Sequence, residues 1–418
     1  MAMTQQGNRP QRDGVKQRGL SLIEMMISLA LGVVLLLGLL EVFSALRASF
    51  SAAEGNSRVQ ENSRFALEFL RRDLRMAGHF GCVSEFNHIL QLTPRRTDQF
   101  SAYVNSFVAP AADRDDVPYL LRLDKPVEIY DYANTKPGDT LTIASSAPSP
   151  ETDASKWTPS LPTDLGLLGD AMPGSDVVVV RYLDEDMISL RGMTNTATGD
   201  ITLTAANAAK IVTNTPYGMT NCRNAGLFQV TGKTATTVNI NAAPNVERST
   251  GVWWPADFPV GIGTLMGRYH VVVYYVGQGV NGPSLKRKTL PVNGVAVASG
   301  ADIALATAEE VVEGVENIQV ILGVDNTTPR NDTVDAYVSP HALVNVPLTV
   351  SQADYEEALR KVNSMRVSLL MRSNEGNRNT AETVAAKIVG DVTVTPPADG
   401  RIRQVFDSLI AIRNRLRS

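Results

Sequence analysis

The sequence predicts an α+β protein: one long N-terminal helix, apolar and then amphipathic, followed by a β-rich, mainly antiparallel head. Three observations predict it. Residues 20–40 form a mostly apolar run. No proline occurs between Leu20 and Gly78, and the second half of that stretch carries apolar residues at helical spacing. Beyond it, β-branched and aromatic runs alternate with Pro-, Gly- and Asp-rich stretches. A helix followed by a succession of strands is the pattern of an α+β layout with an antiparallel sheet.

The apolar run comes first. About 20 apolar residues span a bilayer, and Leu20 to Leu40 fits that length. Arg9, Arg12, Lys16 and Arg18 precede it, opposed only by Asp13, so the leader stays in the cytoplasm by the positive-inside rule. Beyond the run, Phe43, Leu46 and Phe50 continue a helical spacing. Leu67, Leu70, Leu74 and Ala77 then form an amphipathic stripe. Arg64, Glu68, Arg71, Arg72 and Asp73 are expected mostly on the other faces, and Gly78 as the stop. Between them Ser51 to Ser63 is polar and contains Gly55, which makes it the weakest part of the predicted helix.

The strands follow. Val177 to Tyr182 is a run of valines closed by Arg181 and Tyr182, the pattern of a buried strand. Residues 201–204, 269–276, 318–322, 366–371 and 405–412 also read as strands. Ser145 to Ser175 is rich in Pro, Ser, Asp and Gly and reads as a long surface loop, and Asn374 to Asn379 as a second loose stretch. There is no internal repeat. The expected organisation is a leader at 1–19, a membrane helix at 20–40, an amphipathic half-helix at 41–78 and a β-rich head at 79–418.

Composition narrows the function. The hydrophobic content of 44% is that of a folding globular chain. The net charge of −4 includes the basic leader; without its four basic residues and one acid the remainder is near −7. That sign argues against nucleic acid as a partner. Only two cysteines occur, Cys82 and Cys222. Downstream of a span with a basic cytoplasmic flank, both fall on the oxidising side. A disulfide is the expected reading, with two buried thiols as the alternative.

Glu24 is the informative residue of the N-terminus, because a carboxylate inside an apolar run is costly and marks a functional position. A secretory signal peptide has a shorter apolar part and a small-residue cleavage site; Glu41-Val42-Phe43 provides none. A plain anchor fits the length but leaves Glu24 unexplained. A third reading explains it. Gly19-Leu20-Ser21-Leu22-Ile23-Glu24 resembles the processing site of type IV pilins and pseudopilins. The resemblance implies a type IV pilin-like fold, cleavage by a prepilin peptidase between Gly19 and Leu20, and N-methylation of Leu20. It also gives Glu24 a partner, the α-amine of a neighbouring subunit's first residue, and pairing removes the cost of a lone buried carboxylate. The chain departs from the family in two respects. Its mature part would begin with Leu20 where many members have Phe, and it lacks the proline that many major pilins carry within the helix. Gly32 and Gly38 stand as possible close-packing sites.

Further blocks extend the resemblance. Residues 66–78 with Gly81-Cys82, residues 174–182, residues 310–320 and the ending at 401–416 are similar to PilW-type pilus assembly proteins. That family implies an inner-membrane protein with a periplasmic head, which joins the pilus tip and helps initiate assembly. It also implies PilV- and PilX-like minor pilins, a large tip adhesin and the assembly platform as partners. A minor pseudopilin of a type II secretion system is the alternative within the superfamily. A membrane-anchored periplasmic binding module or enzyme is the alternative outside it.

No catalytic set supports the enzyme. Gly277-Gln278-Gly279-Val280-Asn281-Gly282 matches G-x-G-x-x-G, but a dinucleotide site needs a helix next. Pro283 and a run that reads as a return strand follow instead, so a glycine-rich hairpin turn is expected. Gly226 to Thr234 has the wrong spacing for a phosphate loop. His79, His88, His270 and His341 make no close ligand pair. Asp325, Asn326, Asp332 and Asp335 gather in one polar segment, which reads as a solvated turn rather than a calcium loop. Trp253-Trp254-Pro255 with Phe258 reads as core packing or a partner surface. No cofactor, metal or catalytic residue is expected.

Overall fold

The computed structural model describes residues 19, 21–81, 92–94, 102–105, 118–123, 125–144, 147–193, 200–221, 224–241, 245, 247–249, 252–253, 263–292, 296–298, 302–327, 331–344, 361–376 and 385–412. The chain divides into two compact units, Met1–Glu54 and Gly55–Ser418. One helix, α1 (Leu22–Met76), has its first part in the former and the rest in the latter.

In the first unit, α1 is apolar and exposed, and it is long and apolar enough to cross a membrane. In the second unit it is amphipathic: Leu70, Leu74 and Ala77 of the expected stripe are buried, Leu67 is partly buried, and Val59 and Ala66 join the buried side. Burial of a leucine contributes about 1.5–3 kcal/mol. The helix ends at Met76, Gly78 takes φ +73°, and His79 N–H donates to Met76 O at 2.9 Å. Glycine closes a helix this way because only it enters the left-handed region without cost.

The polar segment 51–63, expected to be weak, is unbroken helix. Gly55 shows why: a Cβ there would lie 3.3 Å from Ile402 Cδ1, so the missing side chain lets helix and head approach. Asn56 Oδ1 accepts from Gln404 Nε2 at 3.1 Å, and Asn62 Nδ2 donates to Glu313 O at 3.3 Å. These residues are polar because they bond to the head.

The main strands of the head are β1 (Val127–Tyr132), β2 (Val177–Leu183), β3 (Pro216–Thr220), β4 (Asn224–Gln229), β5 (Leu265–Gly279), β6 (Gly282–Thr289), β7 (Glu309–Glu313), β8 (Val315–Val324), β9 (Ala336–Val338), β10 (Val362–Arg372) and β11 (Arg403–Ala411). The larger sheet is organised by β5. Its Leu265–Arg268 end pairs with β3, Tyr269–Tyr274 pairs with β2, and Val272–Gly279 pairs with β6 in a hairpin. β4 extends the sheet beyond β3, β1 beyond β2, and β7 beyond β6. A second sheet has the order β9-β8-β10-β11. All these pairings are antiparallel; a parallel one joins residues 393–395 to 140–142.

Why β2 is a valine run follows from its place. Val178, Val180 and Tyr182 face the core under α1, which also takes in Val320, Leu322, Val367, Leu369 and Ile410 of the second sheet. Val177, Val179 and Leu183 face a second core with Trp157, Leu165, Val271 and Tyr275. A strand covered on both faces has no polar side to alternate with. Among the described residues of the segment 145–175 stand short helical turns, the two-residue strand Trp157–Thr158 and a bridge from Ala171 to Gly277, and they supply cover for that second face.

One expectation is corrected. Asp73 does not lie on an outer face of α1; it is buried against the sheet. Its carboxylate accepts from Tyr182 Oη at 2.9 Å and from Tyr274 Oη at 2.6 Å, with Arg287 Nη1 at 3.9 Å. Desolvation and the adjacent carboxylate raise both tyrosine pKa values, so the phenols remain donors.

Candidate functional site

The candidate site is the start of α1. Ser21 stands just before the helix, and Met25 N–H donates to its carbonyl at 3.1 Å. Glu24 N–H donates to Ser21 Oγ at 3.3 Å, and Ser21 N–H donates to Glu24 Oε2 at 3.0 Å. This reciprocal pair is a capping box, in which the first side chain serves a helix N–H and the fourth residue reaches back. Glu24 therefore has an intrachain role that spacing to a neighbour's amine does not reveal, although S-x-x-E is legible as a capping signature. A carboxylate has about four lone-pair sites, so accepting from Ser21 leaves Glu24 capacity for a second, charged donor. Its acidic charge also suits the positive end of the helix.

Around it, Leu22, Ile23, Met25, Met26 and Ile27 are each more than half exposed, and large apolar side chains remain so through Leu46. Contiguous apolar surface on this scale marks a membrane or protein contact. Gly19 is exposed, and a Cβ on it would meet nothing within 4 Å. Nothing in the fold requires glycine there. The same holds for Gly32 and Gly38. Leu20, the other residue of the expected cleavage site, lies outside the described residues.

Cys82 and Cys222 also lie outside the described residues. Their described neighbours meet: Thr220 Oγ1 donates to Phe80 O at 2.7 Å, and a Cβ on Gly81 would lie 2.5 Å from Thr220 Cγ2.

In the head, the glycine-rich segment forms the turn of the β5–β6 hairpin, with Gly279 opposite Gly282. Gly282 has φ +118°, and the Arg372 guanidinium occupies the space where its Cβ would stand. The Asp325 carboxylate is occupied by protein donors: Thr327 N–H and Oγ1, Asn331 N–H and Asp332 N–H, at 2.6–3.0 Å. Those bonds depress its pKa to about 2, against desolvation that would raise it. A carboxylate ringed by N–H groups is built to hold a turn, not a cation. Asp335 Oδ2 accepts from Asn326 N–H at 2.7 Å in the same loop. Among the described residues no three His, Cys, Asp or Glu side chains are placed to hold a metal ion. His270 stacks on Tyr182 at 4.9 Å and bonds Asp184. His88, Trp254, Pro255 and Phe258 lie outside the described residues.

Sequence reasoning missed several buried ionic groups. Arg403 makes a bidentate pair with Glu316, Nε to Oε2 at 2.6 Å and Nη2 to Oε1 at 2.9 Å, and a second pair with Asp399. Arg181 bonds Glu128 Oε2 at 2.7 Å and Lys125 O at 2.6 Å. Glu316 lies 87 residues from Arg403 and Glu128 lies 53 from Arg181, so no local spacing signals those pairs; Asp399, four residues before Arg403, is the local one.

Two comparisons with known families bear on this chain. Residues 273–414 match the type IV pilus-assembly protein W family, PilW, and residues 15–40 match the prokaryotic N-terminal methylation motif. The first match spans β6 to β11 and the second contains Gly19, Leu20 and Glu24. No curated protein and no solved structure matches the chain. Together the two matches are consistent with PilW and support a type IV pilus-related minor pilin; among the described residues one helix, at the N-terminus, is long and apolar enough to cross a membrane.

Proposed function

We propose that this chain, with a methylation motif at one end and a PilW segment at the other, is a minor pilin that helps initiate type IV pilus assembly. A prepilin peptidase cuts between Gly19 and Leu20 on the cytoplasmic side, and the new Leu20 amine is methylated. The helix holds the protein in the inner membrane with its head in the periplasm. It then moves laterally from lipid into a bundle of like helices, alongside other minor pilins of the PilV and PilX kinds, a tip adhesin and the assembly platform. The role is structural and not enzymatic.

The observation that carries this reading is Glu24, an acid within an otherwise apolar and exposed helical segment. A lone charge in a bilayer costs about 2.5–3.5 kcal/mol on the insertion scale at the centre, and less near an end. Capping its own helix offsets part of that cost, and the amine of an adjacent subunit offsets the rest. A bridge between Cys82 and Cys222 fits the contact of Phe80 and Gly81 with Thr220. It would show as one mass without reductant and a gain of two hydrogen atoms once reductant supplies the two electrons and opens the bond.

The deciding experiment is the N-terminal residue of the protein isolated from membranes. Methylated Leu20 is expected in cells with active peptidase and Met1 in cells without it. An intact Met1 in both would overturn the proposal.

A further inference from the structure

Asp131 on β1 and Asp176, just before β2, are each 1% exposed and hydrogen-bond each other through their carboxyl groups. Asp176 Oδ1 accepts from Tyr132 N–H at 3.2 Å and Oδ2 from Val320 N–H of β8 at 2.8 Å. Asp131 Oδ2 accepts from His341 N–H, on the short helix Pro340–Val344, at 2.9 Å. Its Oδ1 accepts from Thr135 Oγ1 at 3.1 Å, a hydroxyl that also reaches Tyr132 O at 2.6 Å. The pair thus joins the larger sheet, the second sheet and the short helix at one point.

Two touching, buried carboxyls cannot both be ionised without an offsetting cation. Among the described residues, the charged and titratable groups that face them are few. Lys136, in the turn after β1, acts on Asp131. The His341 ring is held below its usual pKa by burial and by Lys136, and Asp139 acts on that ring. From β8 the neighbouring side chains are the neutral amides of Asn317 and Gln319, both bonded to Gly174 O. Both oxygens of Asp176 already accept backbone N–H groups, which cannot reverse roles. The hydroxyl of Thr135 can rotate. One of the two carboxyls therefore keeps a proton and donates it to the other.

We propose that Asp131 and Asp176 share one proton that locks the junction between the two sheets and the short helix, and that loss of this proton loosens it. Burial raises both pKa values above the usual carboxylate range, that of Asp131 to about 6, and the Asp131 carboxylate raises that of Asp176 further. The pair titrates as a unit. Because the folded state keeps a proton that the unfolded chain releases near pH 4, stability is complete below that point. It falls as pH rises, by about tenfold in the folding equilibrium per pH unit per proton, until the pair itself ionises.

The test uses the detergent-solubilised full chain and hydrogen-exchange protection of residues 315–324 and 340–344 between pH 5 and 8. Wild-type protection is expected to fall with pH. Asp131→Asn, whose amide donates to Asp176 at every pH, is expected to hold protection level. Equal slopes in the two proteins would overturn the proposal. If the variant does not fold, infrared spectra of the wild type decide. A protonated buried carboxyl band at pH 5–6 that disappears at alkaline pH is the expected result, and its absence overturns the proposal.

Discussion

Replacing Glu24 separates its two jobs. Glu24→Ala removes both the acceptor for Ser21 N–H, now 3.0 Å away, and the negative charge. Loss of a cap costs about 0.5–2 kcal/mol. Removing one member of a buried ion pair costs about 3–5 kcal/mol, which is more than a hundredfold in an association equilibrium. Glu24→Gln keeps a capping-box acceptor but carries no charge. If the intersubunit ion pair drives assembly, both variants are cut by the peptidase and both lose surface pili. Ser21→Ala, which removes only the 3.3 Å acceptor for Glu24 N–H, loses about 0.5–2 kcal/mol, less than the ion pair, and still assembles. The assay combines N-terminal analysis of the membrane-extracted protein with pilus counts by electron microscopy. Normal piliation with Glu24→Gln would refute the charge argument and leave only helix capping.

Other outcomes follow from the head. Asp73→Ala leaves the Tyr182 and Tyr274 hydroxyls buried without their carboxylate, and an orphaned buried donor costs about 1–3 kcal/mol. Thermal unfolding should therefore show a clear loss, partly recovered in a background with both tyrosines changed to Phe. Gly282→Ala should destabilise by more than about 1 kcal/mol, because φ +118° disfavours any side chain and Arg372 fills the space; denaturant titration measures it. The Asp325 pKa is depressed to about 2 in the folded chain, so its contribution is complete above about pH 4, the unfolded value, and lost as pH falls towards 2. Acid titration of Asp325→Asn should accordingly show a shallower stability loss than wild type over that window.

Much of this architecture was legible. The proline-free run set α1, Gly78 set its end, and Pro283 after the glycines marked a hairpin rather than a nucleotide site. The valines of β2 identified a strand covered on both faces. β1 escaped notice because its Glu128 and Asp131 give it a polar look, and both acids are buried against partners that lie far along the chain. Asp73 shows the same limit. Its charge argued for an outer face, and the tyrosine partners that bury it lie 109 and 201 residues away. Gly55 looked like a weak point because close approach to Ile402 is visible only in three dimensions. At the candidate site, the apolar flanks spoke for insertion, whereas the capping role of Glu24 emerged only with the Ser21 hydrogen bonds.

The hairpin tip at Gly282 also constrains how this chain can change over generations. The guanidinium that sits over it belongs to Arg372, which approaches Glu316 to 3.6 Å beside the Arg403 cluster. Enlargement at 282 thus displaces that guanidinium, and a shorter residue at 372 that made room for it would withdraw a cation from a desolvated acid. One missing methyl group thereby ties the tolerance of two remote codons together.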